Sequence, residues 1–356
     1  MRLKKKHSIM LLNIKYQKIW QLFLAPFTFS YFIIIQIRNK FYDLNILKKK
    51  SLKTPIISIG NLTTGGTTKT PFTIFISKYF IKNNIKVGIL SRGYGRKSKG
   101  TIVVSNGNKI LSTPKYAGDE PYLMAKILEN VPIIVDNNRL RGGKYLISKY
   151  NPDIILLDDG YQHRSLKRDL NILLVNSFDR KCDHKLIPNG KLREPWKNYK
   201  RADLIIRTKS NLNIQNNYII KKIKKTNKKT FISKSHITIS KKFTKKNLIT
   251  TNLSKKNVLL ITAIADPKSF YKAIKITKCN IIKKLNFRDH YKYDQKIWDK
   301  IEQSIKNLNI DFILTTEKDW IKIEQITTIT PIIIFKLDIT INKEEYFYKI
   351  LQTIIK

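Results

Sequence analysis

The sequence predicts an α/β fold built on a parallel sheet with helices on both faces. From residue 54 onward, short apolar runs such as residues 55–60 and 153–157 alternate with segments of helical character. Strands that are apolar throughout are buried on both faces, which is typical of parallel sheets in α/β proteins. The chain has 356 residues, which is long enough for two such domains, each with its own core.

The first α/β domain is predicted over residues 50–215. Strands rich in Ile, Leu and Val are expected at residues 55–60, 86–90, 131–136, 153–157, 171–176 and 203–207. Helices are expected between them at residues 70–83, 119–128 and 139–149. Residues 209–255 are rich in Lys, Asn and Thr without clear periodicity, and we interpret them as the connection between domains.

A second, smaller α/β domain is predicted over residues 216–356. Its strands are expected at residues 257–264, 312–315 and 331–337, and its helices at residues 267–276, 295–308 and 343–355. We expect this domain to close over a cleft on the first one.

An N-terminal segment, residues 1–49, is predicted to anchor the protein to a membrane. Basic residues precede an apolar and aromatic run at residues 19–37, and Gln21, Pro26 and Gln36 interrupt it. A spanning helix needs about 20 apolar residues, and basic residues flank both ends of this run, so it gives no positive-inside signal. An embedded or interfacial anchor fits better, and a buried helix of a soluble domain is the alternative.

The charge of the chain is strongly positive, with a formal net charge of +45. Charge alone would favour nucleic-acid binding, but 57 of the 70 basic residues are Lys, spread over every segment. Specific nucleic-acid readers favour Arg, which makes bidentate contacts. We therefore expect an anionic membrane surface as a partner, and no nucleic acid. The two cysteines, Cys182 and Cys279, predict neither a disulfide framework nor a metal site.

The segment GNLTTGGTTKTP at residues 60–71 predicts a phosphate-binding loop. Small residues let backbone N–H groups wrap phosphate oxygens, and a strand precedes the loop while a helix follows it, as such a loop requires. The fold is thus predicted to resemble that of P-loop NTPases. The predicted nucleotide-binding residues are Thr63, Thr64, Gly65, Gly66, Thr67, Thr68, Lys69 and Thr70.

Two residues of this loop carry specific roles, and a third departs from the usual pattern. Lys69 is expected to bind the β- and γ-phosphates, and Thr70 the Mg²⁺ ion. Thr68 stands where such loops have Gly, and its β-carbon is expected to crowd the phosphates. A catalytically weakened relic is therefore an alternative to a working enzyme.

Further candidates lie at strand ends and helix starts. Asp158 and Asp159 end a buried strand, where α/β sheets bind ligands and where P-loop enzymes hold Mg²⁺. Asp119 opens a helix, either as a cap or as a base that deprotonates an attacking hydroxyl. Arg92 and Arg139 suit phosphate groups, because a guanidinium pairs two oxygens at once.

Together these segments resemble one family, the tetraacyldisaccharide 4′-kinases, which are the lipid A 4′-kinases of Gram-negative bacteria. The matching stretches occur in the family's order and comprise residues 60–71, 91–96, 118–121, 158–163, 188–195, 263–267, 287–290 and 316–319. The resemblance implies transfer of the γ-phosphate of ATP, with Mg²⁺, to the 4′-hydroxyl of a lipid A disaccharide 1-phosphate. It also implies a peripheral or monotopic protein on the cytoplasmic face of the inner membrane. No obligate protein partner is predicted.

The resemblance also assigns roles to single residues. Lys69 matches the phosphate-binding lysine and Asp119 the proposed base, assisted by the position of His290. Thr70, Asp158 and Asp159 match the metal side of the site. The predicted substrate-binding residues are Arg92, Arg139, Arg193 and Glu194, the last two matching an Arg–Glu pair of the active-site cleft. A membrane-associated ATPase or GTPase switch that uses the same loop is the alternative function.

Overall fold

The computed structural model describes residues 20–213, 216–243 and 252–355. The basic residues before position 16 thus lie outside the described residues. Twelve strands in these ranges form a single sheet, in the spatial order β10-β9-β11-β12-β8-β7-β6-β1-β5-β2-β4-β3. The strands are β1 (Ile56–Gly60), β2 (Val87–Ser91), β3 (Ile102–Asn106), β4 (Pro132–Val135), β5 (Ile154–Asp158), β6 (Leu170–Asn176), β7 (Leu204–Thr208), β8 (Lys229–Phe243), β9 (Asn257–Thr262), β10 (Asn280–Asn286), β11 (Phe312–Thr316) and β12 (Ile332–Ile341).

Helices cover this sheet on both faces, which confirms the predicted α/β class. They are α1 (Ala25–Asp43), α2 (Lys69–Lys82), α3 (Pro114–Ala117), α4 (Asp119–Ile127), α5 (Arg139–Tyr150), α6 (Asn217–Lys224), α7 (Pro267–Ile274), α8 (Gln295–Ile305), α9 (Glu317–Ile323) and α10 (Glu344–Gln352). Alternate residues of β1 show the two faces. Ile57 belongs to a core cluster with Phe72 of α2, whereas Ile56 belongs to another with Leu146 of α5.

The sheet is mainly parallel, with antiparallel pairs at two places. Strand β1 pairs in parallel with β5 and β6, and these central strands are almost entirely buried. Strand β3 is antiparallel to β4, and β8 is antiparallel to β12. The carboxyl ends of β1, β2 and β5 therefore meet at one edge of the sheet, which is where ligands bind in such folds.

The prediction that residues 209–255 form an irregular connection is wrong. Helix α6 and the 15-residue strand β8 lie within this range, and β8 pairs with both β7 and β12. Phe231, Ser233 and Ser235 alternate inward along β8, whereas Ile232, Lys234 and His236 are exposed. Because serines occupy two of these three inward positions and an isoleucine lies outward, the period of two is hard to see in the sequence.

The division into domains at residue 215 stays a prediction. Strand β8 extends one sheet through both regions, and the closing helix α10 packs on the first region. Phe347 of α10 contacts Phe72 of α2, with ring centroids 6.0 Å apart. The chain therefore returns to the first core after it has built the second.

Helix α1 carries a large exposed apolar surface. Pro26 lies in its first turn, where a missing backbone N–H costs nothing, so the proline starts the helix instead of interrupting it. Phe27 is 68% exposed and Ile34 is 62% exposed, and the preceding Trp20 and Phe23 are equally open. Within the described residues, no helix is both long and apolar enough to cross a membrane.

Candidate active site

A cavity of about 990 Å³ lies at the carboxyl edge of the sheet, between its two halves. The loop between β1 and α2 forms one wall, and the loop that follows β10 forms part of another. Of the residues predicted from sequence, the following line it: Thr64, Gly65, Gly66, Thr67, Thr68, Lys69, Thr70, Arg92, Arg139, Asp158, Asp159, Arg193 and His290. Residues that lie up to more than 220 positions apart in the sequence thus line the same cavity.

The predicted phosphate loop stands between a buried strand and a helix, as expected. Lys69 is the first residue of α2, and its ammonium group lies 3.3 Å from the Asn61 side-chain oxygen and 3.6 Å from an Asp159 oxygen. The Thr64 N–H donates to the Lys191 carbonyl at 2.7 Å, which ties the loop to the segment that carries Arg193. Thr70, in the first turn of α2, is buried and faces the cavity.

Thr68 has a backbone conformation that glycine normally provides. Its φ is +63° and its ψ is 28°, in the left-handed region, where a β-carbon approaches the neighbouring carbonyl. An L-residue in this region costs roughly 1–2 kcal/mol. The departure from Gly that the sequence shows therefore has a backbone consequence, in addition to the expected crowding of phosphate.

Asp158 and Asp159 end strand β5 beside the loop and differ in their protonation. Burial and the neighbouring charge of Asp159 raise the pKa of Asp158 to about 7, and Thr73 donates to its carboxylate at 3.1 Å. Burial also acts to raise the pKa of Asp159, but Lys69 and Arg193 outweigh it and hold this pKa below the usual range. Arg193 lies 3.0 Å from both oxygens of Asp159. The pair thus provides one ionised carboxylate and one that is half protonated near neutral pH.

The donors beside the loop fit a magnesium ion. Among the described residues no three His, Cys, Asp or Glu side chains form a metal-holding group. Mg²⁺ does not require one, because it usually takes one or two carboxylates together with phosphate oxygens and waters. The Thr70 hydroxyl and the two carboxylates of β5 are hard oxygen donors of this kind.

His290 lines the cavity and contacts Asp119, which is not itself among the lining residues. The Asp119 carboxylate is 2.9 Å from Nδ1 of His290 and 3.2 Å from the Lys322 ammonium group. Burial raises the pKa of Asp119, but the hydrogen bond from His290 and the charge of Lys322 outweigh it, so this pKa is lower than usual. The second half of the chain therefore contacts the start of helix α4 through His290.

A network of ion pairs surrounds His290. The sequence analysis did not predict this network. Lys318 lies 2.7 Å from Glu120 and 3.3 Å from Asp289. Both of these carboxylates are 3.7 Å from Nε2 of His290. Glu120 follows Asp119 in α4 and Lys318 lies in the first turn of α9, so the network joins the two halves at the Asp119–His290 contact.

Three arginines predicted to bind substrate line the cavity. Burial, with the positive charge of Arg92, lowers the pKa of Arg139 to about 10. One nitrogen of Arg139 donates to the carbonyls of Asp136 and Asn137, which fixes its guanidinium group.

His163 also lines the cavity, and sequence reasoning missed it. Burial and the charge of Arg139 lower its pKa to about 4, so it is neutral at physiological pH.

Glu194, also predicted to bind substrate, is fully buried and is not among the cavity-lining residues. Its carboxylate accepts hydrogen bonds from Asn198 and Arg201 at 2.6 Å and from Asn39 of α1 at 3.3 Å. Tyr31 of α1 donates to the carbonyl of Arg193 at 2.7 Å. The Arg193–Glu194 pair therefore turns one side chain to the cavity and the other to helix α1.

Comparison with known proteins identifies close relatives of the whole chain. A family model described as LpxK, tetraacyldisaccharide-1-P 4′-kinase, matches residues 20–356. A tetraacyldisaccharide 4′-kinase from Aquifex aeolicus is 34% identical over 331 residues, which covers 93% of this chain and 98% of that protein. One from Halothermothrix orenii is 33% identical over 310 residues, or 82% and 80% of the two chains. A crystal structure of LpxK from Aquifex aeolicus in complex with ATP superimposes with a TM-score of 0.74 at 32% identity, covering 95% of this chain and all of that one.

Proposed function

The chain belongs to the tetraacyldisaccharide-1-P 4′-kinase family, and from this premise we propose which of its residues perform the reaction. The reaction is an ATP-dependent transfer of a phosphoryl group to the 4′-hydroxyl of a tetraacyldisaccharide 1-phosphate, in lipid A biosynthesis. One observation supports the assignment of the site best: a single cavity joins the phosphate loop to His290, which holds Asp119.

Asp119 is the base in this proposal. A lowered pKa keeps its carboxylate ionised, so that it can accept the proton of the acceptor hydroxyl. The hydroxyl oxygen then bonds to the γ-phosphorus as the bond to the ADP oxygen breaks, and ADP leaves. His290 orients the carboxylate through Nδ1, and the Lys318 network orients His290 in turn. A base fixed in this way by two halves of the chain acts only when both are in place.

The phosphate loop and Lys69 hold the nucleotide. Lys69 rests against Asp159 and Asn61, and we propose that its ammonium group moves to the β- and γ-phosphates when ATP binds. Arg193 then remains to balance the charge of Asp159. Phosphoryl transfer depends mainly on positioning and on charge neutralisation, and these cations provide both.

Thr70, Asp158 and Asp159 are the residues that would hold Mg²⁺. A bound Mg²⁺ ion neutralises charge that develops on the phosphate oxygens. Thr73 fixes Asp158 for this duty through the hydrogen bond to its carboxylate.

The arginines and helix α1 are proposed to receive the lipid. Arg92 and Arg139 provide cations for a phosphate of the acceptor, and Tyr31 of α1 lines the same cavity. The exposed apolar residues of α1 fit insertion into the interface of an anionic membrane, with the acyl chains adding about 0.8 kcal/mol per buried CH₂. We propose that the active site works at the membrane surface, on the cytoplasmic face of the inner membrane.

A phosphate-transfer assay with the lipid acceptor tests the proposed roles. Detergent-solubilised protein is incubated with radiolabelled ATP, Mg²⁺ and tetraacyldisaccharide 1-phosphate, and the labelled lipid is separated and counted. We expect the wild-type chain to label the lipid, and we expect Lys69→Ala and Asp119→Ala each to lose this transfer. If Asp119→Ala keeps hydrolysing ATP and transfers phosphate as before, Asp119 is not the base.

A second assay distinguishes the proposed kinase from the alternative, a membrane-associated ATPase or GTPase switch. Such a protein hydrolyses ATP or GTP without lipid, and Asp119 and His290 are dispensable for that activity. We expect hydrolysis without lipid to be much slower than transfer to lipid. Equal rates with and without the acceptor would favour the switch.

A further inference from the structure

Lys209 makes a buried contact between the phosphate loop and the second half of the chain. It directly follows β7, its φ is +56° and its side chain is only 5% exposed. The ammonium group lies 2.8 Å from the Gly66 carbonyl oxygen, 2.6 Å from an Asp266 oxygen and 3.3 Å from the Ser269 hydroxyl. One cation thus contacts the loop after β1 and helix α7 at the same time.

Further hydrogen bonds hold Asp266 in position for this contact. It caps α7, since its carboxylate accepts the Ser269 N–H at 3.3 Å. The Asn176 side chain, at the end of β6, reaches both Asp266 and the Gly66 carbonyl, at 3.4 Å and 3.3 Å. Burial raises the pKa of Asp266, but the charge of Lys209 outweighs it and holds this pKa below its usual range. The carboxylate is therefore ionised and paired.

Gly66 lies directly against this ion pair. A β-carbon at Gly66 would lie 3.2 Å from the β-carbon of Asp266 and 3.6 Å from that of Ala265. The first of these distances is shorter than an ordinary van der Waals contact. Glycine at this position lets the phosphate loop approach the start of α7. The matching stretch at residues 263–267, which has no assigned role in the reaction, thus contacts Gly66 of the phosphate loop.

The chemistry of a phosphate loop gives this contact a purpose. Such a loop binds phosphate through N–H groups, and a carbonyl oxygen that turned toward the phosphates would repel them. An ammonium group that binds the Gly66 carbonyl fixes its direction and neutralises its partial charge. A hydrogen bond from a charged donor is roughly twice as strong as one between neutral groups, so this contact favours one loop conformation.

We propose that Lys209, paired with Asp266, is a positioning residue that fixes the phosphate loop against α7 and thereby sets the affinity for ATP. Lys209 acts through the Gly66 carbonyl. The inference rests on the proposed nucleotide site and concerns ATP binding, before any transfer to lipid.

Titration calorimetry with ATP and no lipid tests the proposal. Lys209→Met is expected to weaken ATP binding about 10- to 100-fold, since one charged hydrogen bond to the loop is lost. Asp266→Asn is expected to weaken it less, and the double variant no more than Lys209→Met, because both substitutions break the same contact. Lys209→Arg is expected to recover part of the affinity. The exposed Lys268→Met, on the same helix, removes the same charge as a control and is expected to bind ATP like the wild type.

Kinetics separate positioning from a general loss of structure. The KM for ATP is expected to rise in Lys209→Met while the KM for the lipid acceptor stays within about 2-fold, since the arginines and α1 are untouched. Should Lys209→Met not fold, Asp266→Asn and Gly66→Ala carry the test through the same affinity measurement.

Two results would overturn the proposal. The first is an ATP affinity that changes less than about 2-fold in Lys209→Met. The second is a double variant whose loss is the product of the single losses, which would mean that Lys209 contacts phosphate directly. A chain that binds ATP as expected but labels no lipid would instead count against the proposed kinase roles and leave the Lys209 contact standing.

Discussion

The Asp119 carboxylate lies 2.9 Å from Nδ1 of His290, although 171 positions separate the two residues in the chain. Asp119 begins helix α4 in the first half, and His290 lies in the loop after β10, with a φ of +61°. A contact of this length between a partly buried carboxylate and an imidazole fixes the orientation of both groups. The base of the proposed reaction is therefore completed only by the second half of the chain.

Replacing Asp119 by Asn removes the proposed base but keeps the shape of the side chain. General base catalysis contributes about 10²- to 10⁴-fold, so kcat is expected to fall by at least about 100-fold. ATP affinity is expected to stay within about 2-fold, because the phosphate loop is untouched. The exposed Asp299→Asn serves as the control of equal charge change. A variant that keeps its kcat but loses ATP affinity would contradict the assignment.

Replacing His290 by Asn changes the pH dependence of the reaction. His290 and Lys322 hold the pKa of Asp119 below its usual range, so the loss of His290 raises that pKa. Since the base must be ionised, activity is lost as the pH falls through a higher value than in the wild type. The acid limb of the kcat profile is thus expected at higher pH in His290→Asn. An unchanged acid limb, with kcat lowered equally at every pH, would show that His290 does not set this pKa.

Replacing Asp158 by Asn is expected to stabilise the protein at alkaline pH. The unfolded chain releases this proton near pH 4, whereas the folded protein releases it at about pH 7. Between these values the folded state holds the extra proton, so its stability falls as the pH rises toward 7. Asn avoids the buried charge, and the gain at pH 8 is at most about 4 kcal/mol.

Thermal unfolding in a buffer free of divalent cations measures this effect. The midpoint of Asp158→Asn is expected above that of the wild type at pH 8, and close to it at pH 4. The same substitution is expected to lower the rate of transfer, because it removes a proposed ligand of Mg²⁺. Equal midpoints at pH 8 would mean that the wild-type carboxylate is ionised at little cost.

Sequence patterns predicted the elements of the central sheet because their signals are local. Strand β5 and helix α5 lie within one residue of their expected ends, since one is a continuous apolar run and the other has clear periodicity. The missed strands β3 and β10 lie at the two edges of the sheet. Edge strands bury only part of their residues, as alternate exposure along β10 shows, so their apolar runs are short.

The candidate site divides in the same way. Lys69 and Asp159 could be predicted because a loop motif and a strand end mark them. Lys209 carries no local mark, and the matching stretches that contain Lys318 and His163 gave these two residues no predicted role. Each of the three gains its surroundings from elements distant in sequence. Burial of a lysine is decided by its partners, and in a chain with 57 lysines the sequence does not single out the few that are paired.

Replacing Glu194 by Gln separates a structural role from direct substrate binding. Its carboxylate is fully buried beside Arg201, and removing one partner of a buried ion pair costs about 3–5 kcal/mol. We expect a lower unfolding midpoint and an unchanged ATP affinity, with the exposed Glu345→Gln as the control. Full stability with a raised KM for the lipid would instead support the direct contact that the sequence predicts.

Replacing Thr68 by Gly tests how the phosphate loop works without its usual glycine. The left-handed conformation of Thr68 costs roughly 1–2 kcal/mol, and Gly relieves it while adding about 0.5–1 kcal/mol of entropy to the unfolded chain. The net change in stability is therefore expected to lie between zero and a gain of about 1.5 kcal/mol. Loss of the β-carbon also opens the approach of phosphate, so kcat/KM for ATP is expected to stay the same or to rise.

The neighbouring Thr67→Gly is the matched control for this substitution. Thr67 is not among the residues with positive φ, so Gly brings only the entropic cost there and stability is expected to fall. If Thr68→Gly abolishes activity while Thr67→Gly does not, the Thr68 side chain does more than crowd the phosphates. Its hydroxyl donates to the Thr67 carbonyl, and this contact would then be what keeps the loop in its binding conformation.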